Sequence, residues 1–501
     1  MVLYFMKIII ETPTIAYLDN TTNLEISELK KQFEYTNGKI SELLKRHQQK
    51  NWWRKKDPDS YYDYETDLKS QLQENIIKKE GNRYLIRPGS IPYIKDINYS
   101  IENKVVYPSL TPIQWANKLE FLPYYYQKDS VDELLKINHG NVSLPTGTGK
   151  SLILLMLSQQ IGKDVVVVTP SKSIFRELLN EFQYRLGKHK VGGFGDGLKD
   201  IKKPITIAIG KSITLIKPDT PEYHFFNKKK ALLVDESHVF GADTLESVCH
   251  GVLADIPRRF FVSATQTRGD GSVKLLRSII GKTVCEMSLR EAISGGFLCP
   301  LQFYIKDIHS SSILIKKDPI ECKRTHFLYN KEIAKFYANI ANAMWNVNKE
   351  STLILVEELV QIKMLIDLLK VPYSYIHSGS KRDAESNGLE KVDLQHELEK
   401  FNSGQSKVLI GTRSISTGTN IYPTFNTCNW MGGSSEIVTK QGPMGRSTRW
   451  MKDKYAKFHK EKTHSKIWDV NVTNQKNRIL ENMLKNRIKC YKEAGSIIKY
   501  L

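Results

Sequence analysis

The sequence predicts an α/β protein, with two doubly wound parallel-sheet domains following a small α+β N-terminal accessory domain. Three observations carry that expectation. At 501 residues the chain has room for roughly two to four domains, each with its own core. Its apolar segments are mostly short continuous runs that end in polar residues, the pattern of strands buried on both faces of a parallel sheet. Those runs alternate with helix-patterned stretches in two blocks, and Gly295, Gly296 and Pro300 fall between the blocks. The expected division is 1–106 for the accessory domain, 107–295 for the first sheet domain and 296–501 for the second with a basic C-terminal helical extension.

In chain order, Met1–Ile10 reads as a first strand. It is too short for a signal peptide and lacks a basic leader and a small-residue cleavage site, and Met6 is an alternative start. A helix is expected near Ile26–Gln49. Beyond it, Lys45 to Lys56 interleaves cations with Trp52 and Trp53. Cations hold phosphates while indoles stack on bases, which makes these tryptophans candidate DNA contacts. An equally simple reading is a solvated basic helix end whose tryptophans pack into a small core. Arg83–Gly89 reads as a strand ending in a turn, and Tyr107–Pro112 as a linker.

The first sheet block begins with Leu122–Asp129 and a helix to Leu135. Asp164–Ser171 is a buried strand, followed by a helix from Ser173 to Arg185. Gly192–Gly197 reads as a flexible turn, and Ile205–Ser212 as the next strand. Ala231–His238 and Arg259–Val262 complete the set, the latter ending in Ser263-Ala264-Thr265. Ligands of such sheets bind at the carboxyl ends of the strands. Thr169, Ser171, Lys211 and Ser212 therefore fall on the functional edge. In the second block Thr352–Val356 is a strand, with helices over Leu359–Leu369 and Val392–Phe401. Tyr375–Gly379 ends another strand, and Lys407–Thr412 leads into Ser416–Asn420. Gly445-Arg446-Ser447-Thr448-Arg449 sets two arginines three apart, on one helical face if the segment is helical.

Composition narrows the function class. Hydrophobic content of 40% and charged content of 26% suit a soluble globular protein, and no apolar run approaches the roughly 20 residues of a bilayer span. The six cysteines form no Cys-x-x-Cys pair, so neither a zinc site nor a disulfide framework is expected, in keeping with a reducing cytosol. The net charge of +20 and pI near 9.4 favour a polyanionic partner, nucleic acid above all. From Lys440 to Leu501 there are 16 Lys+Arg against 5 Asp+Glu, which concentrates the excess at one end. The other reading is a basic protein kept soluble by lysine.

Two stretches carry chemistry. Ser143-Leu144-Pro145-Thr146-Gly147-Thr148-Gly149-Lys150-Ser151 precedes the apolar, helix-compatible run Leu152–Leu157. Glycines let backbone N–H groups curl around phosphate oxygens at the positive end of a helix. Lys150 then reaches the β- and γ-phosphates, and the Ser151 hydroxyl ligates Mg²⁺. Leu144 stands where the common pattern has its first glycine. The second stretch is Asp235-Glu236, delivered by an apolar strand to the same sheet edge. Phosphate hydrolysis needs one group on Mg²⁺ and another to orient and deprotonate water; Asp235 suits the first role and Glu236 the second. Gln127, about 20 residues before the loop, suits the adenine edge, with a neighbouring tyrosine stacked on the ring.

Taken in order, Tyr126-Gln127, the Gly-Lys-Ser loop, Thr169-Pro170, Asp235-Glu236-Ser237-His238, Ser263-Ala264-Thr265, Ser416–Asn420 and Gly445–Arg449 resemble the superfamily 2 helicases over roughly residues 120–470. Tyr126–Asp129, Ile467-Trp468-Asp469 and the basic helix around Asn482–Glu493 are similar to the UvsW-type phage DNA helicases, and the branch-migration helicases of T5-like phages are the nearest kind suggested. The resemblance implies two RecA-like sheets. It implies ATP contacts at Gln127, Pro145, Thr146, Gly147, Thr148, Gly149, Lys150 and Ser151, and Mg²⁺ at Ser151 and Asp235. It implies coupling at His238, Ser263 and Thr265, for which capping of the strand end is the other reading of His238. It implies arginine fingers at Arg446 and Arg449, and DNA backbone contacts at Thr169, Pro170, Ser212, Thr412 and Thr417. Gln441 lies one residue too far from Gly445-Arg446 for the family spacing, and Asn420 replaces an acidic residue. The implied activity is ATP-driven unwinding or branch migration of forked and junction DNA, 3′ to 5′, by a monomer in the (host) cytoplasm, serving phage DNA replication, recombination or repair. An RNA helicase and a non-enzymatic nucleic-acid-binding subunit are the alternatives.

Overall fold

The computed structural model describes residues 5–240, 242–264, 272–310, 318–377, 379–412, 421–433, 436–451, 453–473 and 478–501. Contacts divide the chain into two units, Met1–Leu144 with Gly149–Glu286, and Pro145–Thr148 with Met287–Leu501.

Among the described residues the first unit holds three sheets, the smallest the pair Glu34–Thr36 with Gln73–Asn75. At its N-terminal end a five-stranded sheet runs in the order Lys78–Glu80, Arg83–Ile86, Ala16–Asp19, Met6–Ile10, Tyr99–Asn103. Only the last pair is parallel. Met6 and Ile8 alternate into its core, as a strand's two-residue period demands. The single helix expected near Ile26–Gln49 is two. Helix Asn23–Phe33, closed by a Thr22/Glu25 capping box, gives way to strand Glu34–Thr36, and Asn37 then caps helix Gly38–Gln48. Tyr35 and Thr36 favour extended backbone, and the Asn-Gly pair restarts the helix. This N-terminal element is seated on helix Val273–Ile280: a Cβ on Gly89 would meet Ser278 O at 2.3 Å, Tyr93 donates to Gly281 O at 2.9 Å, and Arg87 pairs with Glu246.

The larger sheet of this unit has the order Leu198–Lys199, Val191–Gly195, Ile205–Ile209, Val165–Thr169, Ala231–Asp235, Arg258–Ser263, His139–Ser143, Lys282–Glu286. All neighbours are parallel except the short Leu198–Lys199 edge. Val165–Thr169 and Ala231–Asp235 are buried along their whole length, which is why they read as unbroken apolar runs. The glycine-rich stretch expected to be a flexible turn is mostly strand. Gly192 and Gly193 lie in Val191–Gly195, and a Cβ on Gly192 would meet Asp200 O at 2.0 Å. Close backbone approach is what requires glycine there, and the reversal itself falls at Asp196-Gly197, both at positive φ.

The second unit is a seven-stranded, wholly parallel sheet in the order Tyr373–Ile376, Val408–Gly411, Thr352–Val356, Asn426–Trp430, Ser465–Thr473, Leu301–His309, Ile498–Tyr500. Leu353 and Leu355 face a core with Leu398 and Phe401, while Ile354 and Val356 face one with Tyr337 and Trp430. Helices thus cover both faces, and the carboxyl edge carries the loops.

Candidate nucleotide site

Strand His139–Ser143 feeds the glycine loop, and Lys150 opens helix Lys150–Ile161. Gly149 is the N-cap at φ 82°, a left-handed conformation that glycine enters without steric cost. A Cβ at that position would lie 2.4 Å from Gln127 Nε2, so Gln127 packs directly on the loop. Gln127 is buried, and its amide oxygen accepts the Tyr124 N–H at 2.9 Å. Within the loop, Thr148 Oγ1 donates to Pro145 O at 2.7 Å; Thr146 is half-buried and Gly147 exposed. Ser151 follows Lys150 in the first helical turn, partly exposed.

Leu144, the departure from the common loop pattern, has a structural reason. Its side chain is fully buried, its N–H donates to Ser263 O at 2.9 Å, and its carbonyl accepts Lys150 Nζ at 3.3 Å. The position directly follows the strand's last residue, Ser143, and is still bonded to the neighbouring strand, where an apolar side chain belongs.

Strand Ala231–Asp235 delivers the acidic pair beside this loop. Lys150 Nζ lies 3.3 Å from Glu236 Oε1. Glu236 Oε2 is 3.4 Å from His238 Nδ1, which in turn is 2.6 Å from Ser263 Oγ. One polar chain therefore runs Lys150–Glu236–His238–Ser263, linking three separate strand ends. Glu236 holds φ at 47°, which a residue with a Cβ rarely adopts. Asp235 is buried; desolvation first, and the adjacent Glu236 carboxylate second, push its carboxyl up to about 8, against the pull of Lys150. Two carboxylates beside a single lysine lack positive charge, and carboxylate oxygens, with the hydroxyl of Ser151 next to Lys150, are the donor type that suits a hard divalent cation. The residues fit Mg²⁺.

In the second unit the segment of the two arginines is helical over Gly445–Ser447, and Arg449 lies past the cap, Thr448. Arg446 is buried and Arg449 partly so. Lys462, which sequence reasoning missed, donates to Ser447 O at 2.9 Å and Arg449 O at 2.7 Å. Burial pulls its ammonium down to about 8. No local pattern announced it, because the partners are backbone atoms brought up by the fold.

The proposed DNA contacts are scattered. Pro170 and Ser212 lie partly exposed at the carboxyl edge of the first unit's sheet. Thr169 is a correction: its side chain is fully buried, and the hydroxyl donates toward Ala208 O at 3.4 Å, so it offers no surface to a phosphate. Thr412, in the second unit, is buried and its N–H donates to Ile376 O. Thr265 and Thr417 lie outside the described residues, as do Ser416–Asn420. Trp52 and Trp53 part company. Trp52 is 65% exposed, whereas Trp53 packs edge-on to His47 at 5.0 Å, and His47 stacks on Tyr61 at 4.0 Å. Trp53 thus belongs to a small aromatic cluster, and Trp52 lies on the surface.

Residues 120–268 match the protein family described as type III restriction enzyme, res subunit. The chain is 22% identical over 385 residues to the ATP-dependent DNA helicase uvsW of Enterobacteria phage T4, covering 71% of each protein. The chain is similar to superfamily 2 helicases of the UvsW type. Over 76% of its length the chain superposes on yeast (S. cerevisiae) Dbp5 bound to RNA and ADP BeF3, with 90% of that chain covered, at TM-score 0.51 and 15% identity, a likeness of fold. The T4 UvsW crystal structure aligns over 99% of both chains at TM-score 0.43 and 17% identity. Among the described residues no helix is long and apolar enough to cross a membrane, and no group of three or more His, Cys, Asp or Glu is arranged to hold a metal.

Proposed function

We propose that the protein is an ATP-dependent DNA helicase or translocase that unwinds or branch-migrates forked and junction DNA, moving 3′ to 5′ in phage replication, recombination or repair. The observation that carries the reading is the chain Lys150–Glu236–His238–Ser263. It joins the phosphate loop to the acidic pair and then to a neighbouring strand end, the linkage a machine needs to turn hydrolysis into movement. The relative named an ATP-dependent DNA helicase supports DNA as the substrate.

In this reading Gln127 and the loop residues Pro145, Thr146, Gly147, Thr148 and Gly149 hold ATP, and Lys150 leaves Glu236 for the phosphates. Ser151 and Asp235 would hold Mg²⁺, which would supply positive charge to the phosphates. Glu236 orients and deprotonates the attacking water, and His238, Ser263 and Thr265 transmit the change. Arg446 and Arg449 stabilise charge on the γ-phosphate. Residues 1–106 form a DNA-binding accessory domain through Trp52, and 107–295 and 296–501 are the two RecA-like domains. Pro170, Ser212 and Thr417 touch the DNA backbone, and the burial that closes Thr169 also removes Thr412 from the set. The protein works as a monomer in the host cytoplasm.

Lys150→Ala and Glu236→Gln are each expected to lower DNA-stimulated ATP hydrolysis by about 100-fold or more, measured as phosphate release, and to abolish unwinding of forked duplexes. Retained hydrolysis in either variant overturns the assignment. Stimulation by RNA alone, with DNA inert, would instead establish an RNA helicase.

A further inference from the structure

Four consecutive carbonyls of the arginine segment are each held from outside it. Thr424 Oγ1 donates to Arg446 O at 2.8 Å, and Ser465 Oγ to Ser447 O at 2.8 Å. The Cys299 N–H donates to Thr448 O at 2.7 Å. Lys462 Nζ spans the end of the segment, bonding Ser447 O at 2.9 Å and Arg449 O at 2.7 Å, with Thr424 Oγ1 at 3.2 Å. The helix Gly445–Ser447 is too short to satisfy its own last carbonyls, and a cation at a helix C-terminus meets both the orphan acceptors and the negative end of the dipole.

Lys462 is buried, and its hydrogen bonds go to neutral oxygens rather than to a carboxylate. A buried ammonium without a counter-ion is an expensive way to tie down a loop. A hydrophobic residue would fill the volume, but it could not fix the backbone on either side of Thr448. The ammonium's three donors set where Arg446 and Arg449 leave the chain.

We propose that Lys462 is the positioning residue for Arg446 and Arg449, latching their backbone so that both guanidinium groups are presented in one fixed arrangement. The inference rests on the reading that those arginines act on the nucleotide's phosphates. Lys462 does not touch the phosphates; it acts through the carbonyls it holds.

The test is steady-state ATP hydrolysis by the full chain, stimulated by a single-stranded DNA oligonucleotide. Lys462→Met keeps the stem and removes the donors. Its kcat is expected to fall about tenfold or more, with KM for ATP within about threefold. Thr424→Val, a milder change that removes one donor and one acceptor, is expected to give a smaller loss of the same kind, and it decides the matter if Lys462→Met does not fold. In a chain carrying Arg446→Ala and Arg449→Ala, neither change lowers kcat further. Loss of kcat in the latch variants that vanishes in the arginine-lacking background supports the proposal. Wild-type kcat in both latch variants, or an equal loss in the arginine-lacking background, overturns it and leaves the arginine reading intact. Wild-type hydrolysis in the arginine-lacking chain overturns the arginine reading, and the latch with it.

Discussion

Glu236 shows at the scale of one residue how the site is held. Its φ of 47° costs on the order of 1 kcal/mol, and Lys150 on one side and His238 on the other hold it there. A second single-residue effect is electrostatic. His139 Nε2 donates to Ile279 O at 2.9 Å, and burial, with Arg259 nearby, holds its imidazole down to about 4; His250 is held down to about 2 for the same first reason. Both folded-state values lie below the ordinary value of 6.5, so the unfolded chain binds more protons as pH falls through that value. Stability from these histidines is complete above about pH 6.5 and is lost toward 4 for His139 and toward 2 for His250. His139 as a whole residue is half-buried, so its share is about 2 kcal/mol after solvent screening. Urea midpoints should drop between pH 7.5 and 5.5, and less in a His139→Gln chain. An unchanged midpoint would contradict the burial argument.

Helix Ile479–Glu493 is the element that changed most between expectation and structure. It reads as a basic surface helix, yet Arg487 turns inward. Its Nε and Nη2 bond both oxygens of Asp469 at 2.7 and 3.0 Å, Tyr491 OH donates to Asp469 Oδ2 at 2.7 Å, and Arg487 Nη1 reaches Gly433 O at 2.8 Å. Ile467-Trp468-Asp469 is thereby an anchor for the helix, and Trp468 stacks on Tyr304 at 4.5 Å. Lys485, Lys489 and Lys492 keep the outer face basic. Arg487→Met leaves a buried carboxylate without its cation and is expected to destabilise the protein by roughly 3–5 kcal/mol in urea unfolding. Adding Asp469→Leu should recover much of that loss, and a further drop instead would mean packing rather than charge dominates the pair. The strands of this unit explain why some elements escaped sequence reading. Asn426–Trp430 is fully buried but spelled with Asn, Thr and Cys. Its polar side chains are paid for by partners remote in sequence, such as Asn426 Nδ2 on Glu350 and Thr427 Oγ1 on Ser447.

For the whole molecule the deciding quantity is charge. A net +20 predicts that DNA binding is driven largely by counterion release. Affinity for a forked DNA, measured by fluorescence anisotropy, should fall about 100-fold or more between 50 and 200 mM salt. A flat salt dependence would mean that the surplus lysines serve solubility alone. The same excess carries no information about fold, which rests on the two blocks of apolar strands.

The sequence by itself determined the doubly wound class, the loop around Lys150, and the acidic pair at a strand end. Each is local: buried parallel strands must be continuously apolar, a phosphate loop needs its glycines in fixed order, and strand ends mark the functional edge. Only the tertiary structure decided that Leu144 belongs to the core, that Thr169 is closed to DNA, that Trp53 packs while Trp52 is exposed, and that Lys462 holds the arginine segment. Those outcomes depend on which atoms of distant residues meet, and neither residue type nor spacing records that.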